Sequence, residues 1–167
     1  IGELARRLDE VDAAFAEEMT VAHASGIKAL LAPPSPETAD MVTGDCIRRT
    51  LNALRERAEF VIVDGGHHLG EPLLAALDCS DQIVLVTTPD VPAIKSASLM
   101  LGVLDALAIG RDRYMLVVSH GGHRHALMPE DLERCLGIPP AATIPYDDSA
   151  PIMALNQGRP YYETDPD

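Results

Sequence analysis

The stretch "QIVLVTTPDVPAIKSA", Gln82–Ala97, decides the fold. Its first half is a continuous apolar run rich in β-branched residues, which is typical of a parallel strand covered on both faces. Its second half contains Pro92, which suits the first turn of a helix, and apolar residues then recur at helical spacing. The stretch therefore predicts a strand, a short polar loop and a long helix.

Further apolar runs along the chain have the same character. The predicted strands are "FVIVD" (60–64), "YMLVVS" (114–119) and "AATI" (141–144), with a less distinct one in "IKALLA" (27–32). Helical patterns lie between them, among them one in which Leu4, Leu8, Val11 and Phe15 share a face and one over Pro129–Leu136. Alternating strands and helices predict a doubly wound, mainly parallel α/β sheet in three layers. We expect residues 1–167 to form a single domain.

Composition excludes several classes of partner. The 26 acidic and 13 basic residues give a formal charge of −13, which repels nucleic acid and anionic lipid surfaces. The sequence has no apolar run of about 20 residues that could cross a bilayer and no signal peptide. Cys46, Cys79 and Cys135 have no C-x-x-C spacing, so we expect buried, reduced thiols. These features predict a cytoplasmic protein with no membrane span and no direct contact with nucleic acid.

Polar loops follow the predicted strands directly, and ligands of doubly wound sheets bind at that edge. The four loops are Asp64–His68, Thr87–Asp90, Ser119–His125 and Pro145–Asp148. We expect them to line one edge of the sheet. Asp64, a carboxylate beside two glycines, suits a hydrated hard cation and its phosphate, or else an aspartate that caps the next turn.

The order of "LLAPPSPE", "VIVDGG", "DQIVLVTTPDVPAIKSA", "MLVVS" and "AATIPYDDSAPIMALNQGRP" resembles the later two-thirds of a MinD/ParA-type deviant P-loop ATPase. The resemblance is greatest to the CpaE/TadZ-like branch of pilus-assembly and localisation proteins, and it covers nearly the whole chain. It implies a P-loop NTPase-like fold, a bacterial source, and ATP or ADP with magnesium as cofactors. It also implies a role in localisation or assembly of a cell-envelope machine such as a pilus system, self-association, and a protein partner in an envelope or secretion apparatus.

The resemblance also implies roles for particular residues. Asp64 corresponds to the Walker B carboxylate, which orients magnesium through water, and Gly65 lies beside it. Ser119 stands where the family commonly has an asparagine that reads the base. The loop of Pro145, Tyr146 and Asp147 corresponds to the segment that lies against the nucleotide base, although by its own chemistry it is also an ordinary turn.

The chain departs from that family in ways that affect catalysis. The glycine-rich loop G-K-G-G-x-G-K-[ST] does not occur in the 167 residues, and the resemblance implies that it would lie upstream of Ile1. Gly66 and His67 stand where the family often has prolines. Without the amides and lysines of that loop the chain has no comparable phosphate cradle, so we expect no catalytic residue and no ATP hydrolysis in this form. The alternative is a degenerate, non-hydrolysing scaffold of the same fold.

Five histidines cluster in two of the strand-end loops: His67, His68, His120, His123 and His125. Imidazoles from neighbouring loops, together with Asp64, could bind zinc. The two strands that precede these loops need not be adjacent, however. Exposed polar loops also use histidine simply because its neutral form is easily solvated near pH 7.

Overall fold

The computed structural model describes residues 1–66, 68–119 and 127–164. The chain divides into two compact units, Ile1–Ser80 and Asp81–Asp167. The first unit is mainly helical, and the second contains a parallel sheet.

The described residues of the first unit form five helices and a short pair of strands. The helices are α1 (Gly2–Arg6), α2 (Ala13–Glu18), α3 (Pro36–Ala39), α4 (Gly44–Arg55) and α5 (Glu71–Cys79), with a 3-10 turn at Leu8–Glu10. Strands β1 (Val21–Ala22) and β2 (Lys28–Ala29) pair antiparallel. Helix α4 packs against α1, α2 and α5. Its buried Cys46 and Leu51 therefore lie in the core of this unit, as does Leu4 of α1.

Helices α4 and α5 approach closely at their N-termini. The Thr43 hydroxyl caps α4 by accepting from the backbone N–H of Cys46 at 3.3 Å. A carboxylate oxygen of Glu71, in the first turn of α5, accepts from the backbone N–H of Gly44 at 3.2 Å. A Cβ at Gly44 would lie 2.8 Å from Glu71 Oε1 and 3.3 Å from Ala75 Cβ. Glycine is therefore the residue that this contact between helices accommodates.

Two predictions for the first unit are wrong in detail. The helical pattern from Leu4 to Phe15 is divided into two helices, because the Asp12 carboxylate starts a new one by accepting from the backbone N–H of Phe15 at 2.7 Å. The strand expected in "IKALLA" is limited to the two residues of β2. Short polar capping groups override the apolar period here.

The segment 60–64, predicted as a central strand, is not a strand in the structure. Phe60 is 79% exposed and Ile62 is 93% exposed, and neither belongs to a β-pairing. An apolar, β-branched sequence favours a strand but is not sufficient for one. A strand also requires a neighbour to bond its backbone N–H and C=O groups. The expectation that this segment runs parallel to the other strands is therefore not met.

The second unit alternates strands and helices as predicted. Its elements are β3 (Ile83–Thr87), α6 (Val91–Ala106), β4 (Tyr114–Ser119), α7 (Pro129–Leu136), β5 (Pro140–Ile144), α8 (Ala150–Gln157) and α9 (Tyr161–Thr164), with a 3-10 turn at Arg111–Arg113. The strand order is β3-β4-β5, and both pairings are parallel. An α/β fold with a parallel sheet is thereby confirmed.

Local signals explain why these elements begin and end where they do. The Asp90 carboxylate caps α6 by accepting from the backbone N–H of Ala93 at 3.0 Å, and Pro92 occupies the first turn. Helix α7 ends at Gly137, whose φ of +69° is a left-handed conformation that favours glycine. Helix α6 packs on β3 and on α7, while Leu116 and Val118 of β4 are each 1% exposed. The core of this unit therefore forms around its central strand.

The cysteines differ in exposure. Cys46 is buried, Cys79 is half-buried and Cys135 is exposed, and all three are free thiols. Burial raises the pKa of the Cys46 thiol. The expectation of buried thiols is thus correct for Cys46 and wrong for Cys135, which lies on the outer side of α7. Within the described residues, none of the helices is long and apolar enough to cross a membrane.

The close approach of α4 and α5 predicts a specific loss of stability. We expect Gly44→Ala to lower the free energy of unfolding by about 1–3 kcal/mol, because the added methyl group must displace Glu71. The matched control is Gly102→Ala in α6, where an added Cβ meets nothing within 4 Å and which should be neutral or gain up to about 1 kcal/mol. Urea unfolding monitored by circular dichroism measures both, and equal effects of the two substitutions would contradict the packing described.

Candidate functional site

Three polar loops of the second unit start at the same edge of its sheet. Strands β3, β4 and β5 are parallel neighbours, so their carboxyl ends lie side by side. Thr87, the last residue of β3, is in register with Val118 of β4, and the next residue, Ser119, is in register with Ile144 of β5. The loops that begin at Thr88, after Ser119 and at Pro145 therefore emerge together, as the sequence predicts.

The loop after β3 is held by its own polar groups. The Thr88 hydroxyl donates to Asp90 Oδ2 at 2.5 Å, while Asp90 Oδ1 accepts from the start of α6. The carbonyl of Pro89, a fully buried residue, accepts from the backbone N–H of Leu127 at 3.0 Å. Hydrogen bonds therefore hold the loop after β3 in a defined conformation beside the candidate site.

The loop after β5 is organised by Asp147. Its Oδ1 accepts from the backbone N–H groups of Ser149 at 2.9 Å and Ala150 at 3.0 Å, and from the Ser149 hydroxyl at 3.3 Å. Its Oδ2 accepts from the hydroxyl of Tyr161 at 3.3 Å. The backbone hydrogen bond from Ala150, followed by that from Ser149, lowers the pKa of the Asp147 carboxyl.

The residues predicted to contact the nucleotide base differ in solvent exposure. Tyr146 is 57% exposed, next to the fixed Asp147. Ser119 is half-buried at the end of β4. Tyr161 was not singled out in the sequence because it lies 14 positions beyond Asp147, and only the fold of α8 and α9 brings it back. Sequence spacing alone contains no signal for that contact.

Asp64 and Gly65 lie in the first unit. Asp64 Oδ1 accepts from the backbone N–H of Gly66 at 3.2 Å, and Gly66 has a φ of +62°. Asp64 therefore caps a turn, as the alternative interpretation expects, and its exposed carboxylate is also accessible to a hydrated cation. A Cβ at Gly65 would lie 2.7 Å from Leu73 Cδ1, so this glycine lies close to a side chain of α5. The expectation that Asp64 and Gly65 lie at the same edge as the loops after β3, β4 and β5 stays a prediction.

The histidine-rich loops lie mostly outside the described residues. His67, His120, His123 and His125 are in this undescribed part, and His68 is described. Over 1–66, 68–119 and 127–164, no group of three His, Cys, Asp or Glu side chains is arranged to hold a metal ion. The zinc hypothesis therefore stays a prediction from sequence.

Comparison with known proteins shows similarity to septum-site determinants. No protein-family model matches the chain. A chloroplastic homologue of the septum site-determining protein MinD from Arabidopsis thaliana is 29% identical over 127 residues, covering 70% of this chain and 38% of the relative. The chain spans between 38% and 50% of the length of the curated relatives that it matches, all of them named as MinD proteins or homologues.

Solved structures show the same fold. A ParA family ATPase from Chlorobium tepidum superimposes with a TM-score of 0.90 at 17% identity, covering 99% of this chain and 69% of that one. The septum site-determining protein MinD from Pyrococcus horikoshii, solved in complex with Mg-ADP, gives a TM-score of 0.76 at 18% identity, covering 96% of this chain and 66% of that one. The fold is therefore that of the MinD/ParA-type P-loop ATPases, and the sequence is 22–29% identical to MinD proteins over the matched segments.

The hydrogen bonds of Asp147 predict a pH-dependent contribution to stability. Because its pKa is lowered in the folded state, the ionised carboxylate stabilises the fold above the unfolded-state pKa, and this stability is lost as the pH falls through the folded-state pKa. We expect Asp147→Asn to unfold at lower urea concentration than wild type near pH 7, with the difference shrinking toward about pH 3. Asp148→Asn removes the same charge from the exposed neighbour and is the control. A difference that is constant with pH would contradict the assignment.

Proposed function

We propose that the chain is part of a MinD/ParA/CpaE-like ATP-binding protein that acts in the localisation or assembly of a cell-envelope machine such as a pilus system. The observation that carries the proposal is the common edge of β3, β4 and β5, where Thr88, Ser119 and Pro145 start three adjacent loops. Ligands of doubly wound sheets bind at such an edge. The MinD structure with Mg-ADP supports a nucleotide and magnesium as the ligands.

In this proposal the loop after β5 provides the contact with the base. Tyr146 presents an exposed aromatic ring, and aromatic rings stack on nucleic-acid bases with a gain of about 1–3 kcal/mol per base. Asp147 keeps the following backbone in place through the start of α8. Ser119 supplies a hydroxyl that can donate to or accept from a base edge.

Asp64 is the residue that we propose to hold magnesium through water. Bound magnesium would neutralise phosphate charge. The Asp64 carboxylate is exposed and is oriented by its bond to Gly66, so it is fixed in direction while open to a hydrated ion. The chain has no phosphate-binding glycine-rich loop among its 167 residues, so it supplies no catalytic residue for hydrolysis.

The cellular role rests on the order of the sequence motifs. The order of the five stretches, from "LLAPPSPE" to "AATIPYDDSAPIMALNQGRP", resembles the CpaE/TadZ-like branch most, and this resemblance supports a cytoplasmic bacterial protein with a partner in an envelope or secretion apparatus. The formal charge of −13 supports a protein partner over nucleic acid.

A non-hydrolysing scaffold is the second candidate. Ser119 in place of the base-reading asparagine and the histidine-rich loops favour it, since both depart from a nucleotide site. In that case the same edge would bind a protein, and the histidine-rich loops would offer ligands for a metal ion. Nucleotide titration separates the two candidates.

Binding of Mg-ATP to the 167-residue chain tests the proposal. In ¹⁵N-resolved NMR spectra we expect Mg-ATP to shift the resonances of Tyr146, Asp147 and Gly65, with phosphate release at background. Asp64→Asn should remove the magnesium dependence at Gly65 and leave the shifts at Tyr146, because it removes the charge that steadies the cation. Asp40→Asn, an exposed carboxylate elsewhere in the first unit, is the control.

The outcomes of that titration distinguish the candidates. Spectra that do not respond to Mg-ATP would exclude nucleotide binding by this chain and favour the scaffold. Phosphate release that is abolished in Asp64→Asn would show that the glycine-rich loop is dispensable, contrary to the proposal.

Self-association is expected from the free side of β3. In the described part of the chain β3 pairs only with β4, so the backbone of its other edge has no strand neighbour, and Val84 and Val86, on one face of β3, are 53% and 56% exposed. An apolar strand at a sheet edge is a template for pairing with another copy. We expect light scattering to give a mass above that of a monomer, and the double substitution Val84→Lys with Val86→Lys to lower it.

The control for this experiment is Val91→Lys, an apolar residue of α6 that is 70% exposed and away from the strand edge. It should leave the mass unchanged. A monomeric wild-type chain across micromolar concentrations would count against self-association.

A further inference from the structure

We propose that Tyr161 is a positioning residue, whose hydroxyl holds Asp147 and thereby presents Tyr146 to a purine base. This inference rests on the proposed function, since it assigns a role within the loop that would contact the nucleotide. Tyr161 lies outside the stretch "AATIPYDDSAPIMALNQGRP" and in α9, whereas Tyr146 and Asp147 lie in the loop before α8.

The carboxylate of Asp147 connects the loop after β5 to the start of α8 and to α9. Its Oδ1 is used by the backbone at the start of α8, through Ser149 and Ala150. Its Oδ2 is used by Tyr161, in the first turn of α9, at 3.3 Å. The loop after β5 is therefore fixed both along the chain and from the side.

The position of Tyr161 is determined by the end of α8. Gly158 has a φ of +62°, its backbone N–H donates to the carbonyl of Leu155 at 3.1 Å, and that of Arg159 donates to the carbonyl of Ala154 at 3.0 Å. This pair of hydrogen bonds is a Schellman motif, which reverses the chain direction after a helix. Helix α9 is thus turned back so that it packs on α8, and Tyr161 meets the loop that precedes α8.

A fixed Asp147 matters because Tyr146 precedes it directly. The Tyr146 ring is 57% exposed, so stacking on a base would require the loop backbone that carries it to be ordered. Holding the adjacent residue beforehand lowers the ordering cost of binding. The hydroxyl of Tyr161 therefore acts on affinity through Tyr146 without contacting the base.

The test uses two adjacent tyrosines. Tyr161→Phe removes the hydroxyl that donates to Asp147 and keeps the ring, whereas Tyr162→Phe removes the hydroxyl of the exposed neighbour and is the matched control. Each substitution removes a neutral hydroxyl group, so neither changes the charge of the chain near pH 7.

Two measurements are made on the 167-residue chain. The first is the pKa of the Asp147 carboxyl from ¹³C NMR titration, which should rise in Tyr161→Phe and stay at the wild-type value in Tyr162→Phe. The second is titration with adenosine, which has a base and no phosphates and so does not need a glycine-rich loop. We expect the dissociation constant read at Tyr146 to increase about 2- to 10-fold in Tyr161→Phe alone.

Each result bears on one part of the inference. An Asp147 pKa that is equal in all three proteins would overturn the hydrogen bond itself. A raised pKa with unchanged adenosine affinity would overturn the positioning role while leaving the proposed function intact. Absence of adenosine binding in the wild-type chain would overturn the base contact, and with it both the proposed role of this loop and that of Tyr161.

Discussion

The candidate site depends on one constraint, which is that an extended backbone is stable as a strand only when neighbours bond its N–H and C=O groups. Strand β4 has such neighbours on both sides, and its residues are the most buried of the sheet. Its pairings with β3 and β5 fix where three polar loops begin. The segment 60–64 has an equally apolar sequence, yet without a pairing it remains exposed. Strand pairing, more than apolar composition, therefore decides which apolar segment of the chain becomes a strand.

Aspartate carboxylates in both units bond first to the backbone. Asp90 starts α6, Asp147 starts α8, and in the first unit Asp64 closes a turn at Gly66. These bonds give each loop a defined shape, and the carboxylates of Asp90 and Asp147 place negative charge where β3 and β5 end. A nucleotide phosphate near such loops would be repelled unless a cation or a basic segment balanced it. Under the proposed function, this is a physical reason why these loops would suit the base of a nucleotide better than its phosphates.

The sequence predicts the second unit better than the first. Helix α7 has the predicted bounds because Pro129 and Gly137 mark both ends, and Gln82–Ala97 contains strand, loop and helix as expected. The first unit differs because local capping by Asp12 interrupts an apolar period that spans it.

The site shows the same division between local and non-local information. Loops at strand ends follow from topology, so Ser119 and Pro145 could be placed at one edge from the pattern alone. Tyr161 could not, since its contact depends on a chain reversal at Gly158 and on the length of α8.

The two parallel pairings also have a kinetic consequence. Ile83 pairs with Tyr114 and Val117 with Ala142, separations of 31 and 25 positions, so the chain-entropy costs of closing them differ by only about 0.2 kcal/mol. Neither pairing is favoured by proximity along the chain, and the order in which they form during folding is left to the side chains that β4 buries.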